Sequence, residues 1–529
     1  MTMTSRFDQW LQLTAQRNGT MLALFSLAFA VVAVVWYARR FRIRLLWGAL
    51  GAFWWSLLTL MIFNPPALLR PTFGLMLHRP LWYDEIFTWH MARLPLDRML
   101  TATAGDVHPP GWYLIEHATI RLLGDSALAL RIPALILSII AVGLTYWLTR
   151  ALGHRRATAL GASGLLALMP AHVFYAQEAR MYALLEASVL LATVGVVTRR
   201  GWLAAIGAVV ALYAHNLAIL YVAPLMLIML LLHWDRCKGR LRIPWGPLSI
   251  GVVIAVLWAP WLAALVVQAR DVGQGFWLQS CGLGGYLLPF YRLTLGMGMI
   301  DFLTQHGVLV AGGILGLTLW AGLRRQSRYW LPLAMVAAPT LALILVSELW
   351  RPLYLGRFFI GMLPFVCILL SVGLSKLETP QRTAILAALV PMMLLGLLWQ
   401  RKGTEKYREL TREMRQYCHP GTVVYHANLA SYIQLSYYFP EARHVVWPNA
   451  GDLTQSLTVP TQQAMGIERL HARELEADRL LVIWAHNPLT SMDELEAIEA
   501  ALALGDAREV IQWQGNELVD AGVWEVRRD

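Results

Sequence analysis

The chain has 529 residues, of which 57% are hydrophobic and only 15% charged. A soluble domain carries about a quarter charged residues, so a soluble globular protein is excluded. The formal net charge of +11 hides a split: residues 400–529 hold 13 basic and 19 acidic side chains, whereas the first 399 hold 31 and 14. That split argues against a nucleic-acid partner, because the basic excess lies in the apolar part of the chain, where membrane orientation accounts for it.

Residues 1–18 are mixed polar, and the apolar run Met21–Trp36 ends in Arg39 and Arg40 rather than a small-residue cleavage site. It therefore reads as a retained spanning helix. A span needs about 20 apolar residues. The expected spans are 19–37, 46–63, 129–149, 157–176, 182–198, 202–214, 217–233, 247–268, 307–322, 330–347, 358–375 and 383–399, twelve in all. The pair 202–214 and 217–233 is split at the polar dipeptide His215–Asn216, which suggests a turn.

Short loops rich in Lys and Arg stay cytoplasmic. The segments "ARRFRIR", "RALGHRR", "TRRG", "DRCKGRLR", "LRRQSR" and "KLETPQR" hold 18 basic residues and two acids, and they fall on one side of the twelve-span arrangement. The N-terminus, the 64–128 loop, the 269–306 loop and the C-terminal domain then lie outside the cytoplasm. The basic stretch "RKGTEKYRELTREMR" runs against this parity, but long domains obey the charge rule poorly. Most acids of the membrane part gather at the outer face, including Asp84, Glu85, Asp106, Glu116 and Glu178.

The 64–128 loop is too long for a plain connector. Its segments "DEIFTWHMARLPLDRMLTA" and "GWYLIEHATIRLL" read as amphipathic helices at the membrane surface. Between them, Pro109 and Pro110 force an extended break and place His108 on a rigid turn. Asp84 and Glu85 are adjacent, so on a helix they diverge by about 100°. One is expected to do chemistry while the other orients a loop or binds a metal; the competing reading is a helix cap.

In "YAQEARMY", Glu178, Arg180 and Tyr182 fall within five residues at the end of a span. Ionisable groups at membrane depth point to function, against the alternative of an interfacial ion pair. In "WRPLYLGRFFIGMLPF", Arg351 and Arg357 stand at the outer end of a span. A guanidinium suits a phosphate, while snorkelling from a helix end is the plainer reading. The four cysteines, Cys237, Cys281, Cys367 and Cys418, are far apart and have neither disulfide nor metal spacing. No glycine loop of the dinucleotide-binding kind is present.

Residues 400–529 change character. "TVVYH", "RHVVWP", "LLVIWAH" and "EVIQWQ" read as short strands alternating with helical patterns such as "SMDELEAIEAALAL", where Ser491 and Glu494 fit a capping box. The fold class expected is mostly α: a polytopic helix bundle over 1–399 with surface helices in the first outer loop, followed by a small α/β domain over 400–529.

The ordered set "DE" (Asp84, Glu85), "HPPGWYL" (108–114), "LALRIPALI" (128–136), "YAQEARMYAL" (175–184) and "GRFFIGMLPF" (356–365) resembles the GT-C class of integral-membrane glycosyltransferases. It is similar to the bacterial branch related to protein O-mannosyltransferases and lipid A aminoarabinose transferases, over roughly residues 46–375. The resemblance implies a bacterial inner-membrane enzyme that takes a sugar from a polyprenyl-phosphate donor to an extracytoplasmic glycan, lipid or protein, with inversion. It implies Asp84 as general base, Glu178 as a second acidic position, and Arg357 with Arg180 as holders of the donor phosphate. Glu85, His108 and Tyr182 would support the site or the acceptor. No metal is required by this reading; if a divalent ion were used, Glu85, His108 and His215 would be the ligands to hand. The rival readings are a transporter or flippase, a ligase of whole lipid-linked glycans, and a non-catalytic membrane scaffold presenting the 400–529 domain. A transporter would favour charges within the bundle and an inverted repeat, and a scaffold leaves Asp84, Glu178 and Arg357 unexplained.

Overall fold

The computed structural model describes residues 79–236, 244–274, 330–354, 356–398, 406–450, 458–486, 492–513 and 520–528. The expected spans 19–37, 46–63 and 307–322, nearly all of the 269–306 loop, and Ser491 of the capping box lie outside the described residues.

The first described helices belong to the 64–128 loop: α1 (Tyr83–Arg93), α2 (Leu96–Gly105) and α3 (Gly111–Leu123). Pro95 separates the first two, and the His108-Pro109-Pro110 turn separates the second from the third. Each break follows from the missing N–H of proline and the extended bias of the residue before it.

Every expected span that falls on described residues is helical. Ser126 accepts the Ala129 N–H and caps α4 (Ala127–Ala151). At about 1.5 Å per residue α4 is long enough to cross a bilayer. Residues 156–176 form a broken span, α5 (Arg156–Leu168) and α6 (Pro170–Ala176), bent by 62°. Then come α7 (Tyr182–Val197), α8 (Gly201–Ala214), α9 (Ile219–Arg236), α10 (Trp245–Gln274), α11 (Trp330–Leu349), α12 (Leu363–Ser375) and α13 (Thr379–Leu398). By length and apolar composition, Ala127–Ala151, Asn216–His233, Trp245–Arg270, Trp330–Leu349 and Gly356–Ser375 qualify as spans among the described residues, or six with the broken pair. Helices α7 and α8 are shorter and apolar. They pack backbone to backbone: a Cβ on Gly207 would lie 2.3 Å from the Ala192 nitrogen. Small residues permit this close approach in membrane bundles.

Beyond α13, α14 (Lys406–Met414) leads into a five-stranded mixed sheet of order β2-β1-β3-β5-β4. Strand β1 (Val423–His426) runs parallel to β2 (Arg443–Val446) and β3 (Arg479–His486); β5 (Asp520–Arg527) lies antiparallel between β3 and β4 (Asp506–Trp513). Helices α15 (Leu429–Tyr438) and α17 (Met492–Leu502) pack on it, and α16 (Val459–Met465) packs on α2. Four strands match the expectation, and β5 is an addition. Its inward alternation is masked by Glu525, which is buried but paired with Arg479 and Arg527.

The C-terminal domain sits directly on the helices of the 64–128 loop. The Tyr438 hydroxyl donates to the Leu81 carbonyl at 2.6 Å. Thr458 and Thr461 donate to the Gly105 and Ala102 carbonyls at the end of α2.

Candidate active site

The acid pair that stands out in the sequence divides into two roles. Helix α1 starts at Tyr83, so both acids lie in its first turn, where the helix dipole favours negative charge. Glu85 is fully buried. Its Oε1 accepts from Arg131 Nε at 2.8 Å and from the Ala179 N–H at 2.9 Å. Its Oε2 accepts from Arg131 Nη2 at 2.6 Å and from the Trp82 N–H at 3.3 Å. Glu85 thus caps α1, locks α1 to α4, and holds the 178–181 turn. Trp112 completes the clamp by donating to the Ala179 carbonyl at 3.1 Å, so both backbone groups of Ala179 are fixed.

Asp84 points elsewhere. Its Oδ2 accepts from Arg357 Nη1 at 3.0 Å, and the two side chains keep 19% and 25% of their surface exposed. Exposure on that scale leaves the pair open to a substrate, unlike Glu85–Arg131 at 0% and 2%. Arg357 stands on the 3₁₀ turn Gly356–Met362, which enters α12. That turn is fastened to α9 by the Tyr221 hydroxyl, which donates to the Phe358 carbonyl at 2.8 Å.

Arg180 comes from the clamped turn. Its Nη1 donates to the Asp84 carbonyl at 3.4 Å and to Thr88 Oγ1 at 3.3 Å. It is 3% exposed. Burial alone would lower its pKa, but Asp84, Tyr113, Tyr182 and Asp106 outweigh that and raise it. Arg180 is therefore a permanent buried cation, and a buried charge demands a counter-charge. Glu178, two residues earlier, is 1% exposed and presses its charge on Tyr175, whose ring lies 4.7 Å from that of Tyr182.

His108 reaches the same cluster from the other side. Its Nδ1 faces Asp106 Oδ2 at 3.4 Å, and the Tyr113 hydroxyl donates to the same oxygen at 3.1 Å. Burial lowers the His108 pKa, and Asp106 only partly offsets it. The His108 turn is pinned by Asn216, which donates to the Val107 carbonyl at 2.9 Å and to Gln268 at 2.7 Å. Gln268 in turn donates to the Thr103 carbonyl at 2.9 Å. The fit is close: a Cβ on Gly111 would lie 2.4 Å from the Tyr213 carbonyl oxygen. Through these contacts the His108 ring meets the His215 ring at 5.7 Å, and His215 meets Phe358 at 5.0 Å.

The structure thus gathers Asp84, Arg357, Arg180, Glu178, Tyr182, His108 and His215 where α1, the 178–181 turn, the α8–α9 break and the Gly356–Met362 turn converge. The reading of Glu85 as a metal ligand is corrected: both its oxygens are committed to Arg131 and to backbone N–H groups. No group of three His, Cys, Asp or Glu side chains arranged for a metal exists among the described residues. Sequence reasoning gave no role to Arg131 or Gln268, and noted Asp106 and Asn216 only as an outer-face acid and a helix break. A polar residue inside an apolar run, as in "WLAALVVQAR", is the signal that marks Gln268.

A fold with a helix bundle, a surface-helix loop and a polar cluster at one interface has known counterparts. The chain superposes on the structure of ArnT from Cupriavidus metallidurans in the apo state with TM-score 0.56, 14% identity, and coverage of 88% of this chain and 97% of that one. The ArnT structure bound to undecaprenyl phosphate matches with the same values. The Saccharomyces cerevisiae Pmt1–Pmt2 protein O-mannosyltransferase complex bound to the sugar donor matches at TM-score 0.30 and 16% identity, over 48% of this chain and 36% of that one. Residues 107–263 match the family model described as dolichyl-phosphate-mannose-protein mannosyltransferase. No curated protein matches the sequence. The chain therefore has the fold of the GT-C integral-membrane glycosyltransferases. Within that class its likeness is to the ArnT structures and to the mannosyltransferase family model, whose segment holds His108, Glu178, Arg180 and His215 but neither Asp84 nor Arg357.

Proposed function

We propose that the protein transfers a sugar from a polyprenyl-phosphate donor to an acceptor hydroxyl on the extracytoplasmic side of the bacterial inner membrane, with inversion at the anomeric carbon. The observation that carries this reading is the partly exposed Asp84–Arg357 contact at 3.0 Å, with buried Arg180 beside it. The acceptor oxygen attacks the anomeric carbon while Asp84 takes its proton. The bond from that carbon to the phosphate oxygen breaks, and polyprenyl phosphate leaves with the electron pair. Arg357 and Arg180 offset the charge that grows on the departing phosphate, the kind of stabilisation that dominates such steps. Donor binding exchanges the Asp84–Arg357 pair for a phosphate–Arg357 contact and leaves Asp84 facing the incoming hydroxyl. Glu178 and Tyr182 line the sugar pocket, and His108, oriented by Asp106, closes it. The ArnT structure bound to undecaprenyl phosphate supports the lipid class of the donor.

The test is transfer by purified protein from a set of polyprenyl-phosphate sugars. Asp84→Asn should lower the rate by about 100-fold or more, the usual reach of general-base catalysis, with undecaprenyl phosphate still bound. Arg357→Ala should weaken that binding. Undiminished transfer by Asp84→Asn would assign the base elsewhere.

A further inference from the structure

His215 is not needed by the chemistry above, yet it is the most conspicuous buried group near it. It ends α8 in extended backbone (φ −153°, ψ 131°), at the break before Asn216. Its Nδ1 accepts the Leu217 N–H at 3.1 Å. An accepting Nδ1 puts the proton of the neutral ring on Nε2. Burial, then the charges of His108, Arg357 and Arg180, push the His215 pKa well below its usual value, so the ring stays neutral. Nε2–H is therefore a fixed donor. It is buried, in a side chain only 4% exposed, and it has no acceptor among the described residues. A buried donor without an acceptor is destabilising and calls for an explanation.

The surroundings define what would satisfy it. A cation is excluded, because Nε2 carries a proton and two guanidiniums act on the ring. Those same guanidiniums favour an anion, and the rings of His108, Phe358 and Tyr182 lie 5.7, 5.0 and 6.5 Å from the His215 ring. We infer that His215 is a donor-binding residue whose Nε2–H hydrogen-bonds a phosphate oxygen of the polyprenyl-phosphate donor. This rests on the proposed function and extends its phosphate site beyond the two arginines.

The test uses the full-length protein in detergent and undecaprenyl phosphate as probe, with inorganic phosphate as a second arm. His215→Phe keeps a ring among its aromatic neighbours and removes both the Nε2–H donor and the Nδ1 acceptor of the Leu217 N–H; His215→Gln returns an amide N–H near the Nε2 position. His215→Phe should weaken lipid binding about tenfold or more, the range for a hydrogen bond to a charged group. Its melting temperature should change little, since the unpaired buried donor and the acceptor of the Leu217 N–H go together, and His215→Gln should regain most of the affinity. Full affinity in His215→Phe overturns the assignment, as does a loss matched by a lower melting temperature, which would mark a packing role. Displacement of the lipid by inorganic phosphate at comparable affinity would assign the subsite to a free anion and overturn the lipid commitment. Wild-type protein that binds no undecaprenyl phosphate would instead overturn the donor reading itself.

Discussion

Glu85 and Arg131 form a fork-to-fork pair with both side chains out of solvent. Removing one partner of such a pair leaves a buried charge and costs about 3–5 kcal/mol, whereas replacing both by well-packed apolar groups is often neutral. Glu85 has a second task that an apolar residue cannot perform, because it also accepts the Ala179 and Trp82 N–H groups. Glu85→Gln or Arg131→Met alone should therefore lower thermal stability and activity together. The double replacement Glu85→Leu with Arg131→Met should regain stability and not activity, as the turn carrying Glu178 and Arg180 loses its anchor. Calorimetry and transfer assays on the three variants separate these outcomes; recovered activity in the double variant would show that the anchor is dispensable. At this scale the sequence was half legible. Adjacency alone shows that Asp84 and Glu85 diverge, and hence that they divide the work. It does not show which faces the solvent, since that depends on Arg131, 46 residues away, and no local pattern encodes that contact.

Elements were read more easily than their joints. Apolar run length locates the described spans, and the proline pairs and the His215–Asn216 dipeptide locate breaks. The strand β5 escapes such reading because it depends on pairing with β3 and β4, whereas the 62° bend between α5 and α6 falls at Pro170, a local signal inside a run read as one span. The joint between α1 and α15 is another case. His90 Nε2 faces the Ile433 carbonyl at 3.1 Å and Ser436 Oγ at 3.2 Å. Burial pulls its pKa from 6.5 to about 4, the Ile433 contact only partly offsetting this, and Arg93 and His444 press it lower. The sign follows from linkage. Above pH 6.5 the ring is neutral whether the joint is closed or open, and pH has no effect through it. As pH falls from 6.5 towards 4, only the opened state takes up the proton, so closure weakens across that window. Limited proteolysis of the C-terminal domain should accelerate as pH drops through this range. His90→Gln, which keeps a donor and loses the titration, should flatten the profile; an unchanged slope in that variant would point to the His426–His444 pair instead.

Across the whole molecule, the direct seat of the C-terminal domain on α1 and α2 fixes a relation that charge counting leaves open. The basic stretch after the last span argues for a cytoplasmic C-terminal domain, whereas the loop parity argues for an outer one. The contacts of Tyr438, Thr458 and Thr461 with the outer-loop backbone put the domain and that loop on the same side, whichever side it is. The loops at 150–156 and 198–201 lie at the opposite ends of α4 and α7 from that seat, and they carry Arg150, Arg155, Arg156, Arg199 and Arg200. Since short basic loops stay in the cytoplasm, the proposed orientation has the domain, Asp84 and the proposed phosphate site facing outward together. The proposed orientation is testable without any assay of transfer. In a variant lacking the native cysteines, single cysteines replacing exposed Arg121 and Glu441 should react with a membrane-impermeant maleimide in intact spheroplasts. Those replacing exposed Arg155 and Arg200 should react only after permeabilisation. Labelling of Arg121 without Glu441 would break the seat between domain and loop, and the reverse pattern at all four positions would turn the active site to the cytoplasm, where nucleotide-linked sugars rather than lipid-linked ones would be the donors at hand.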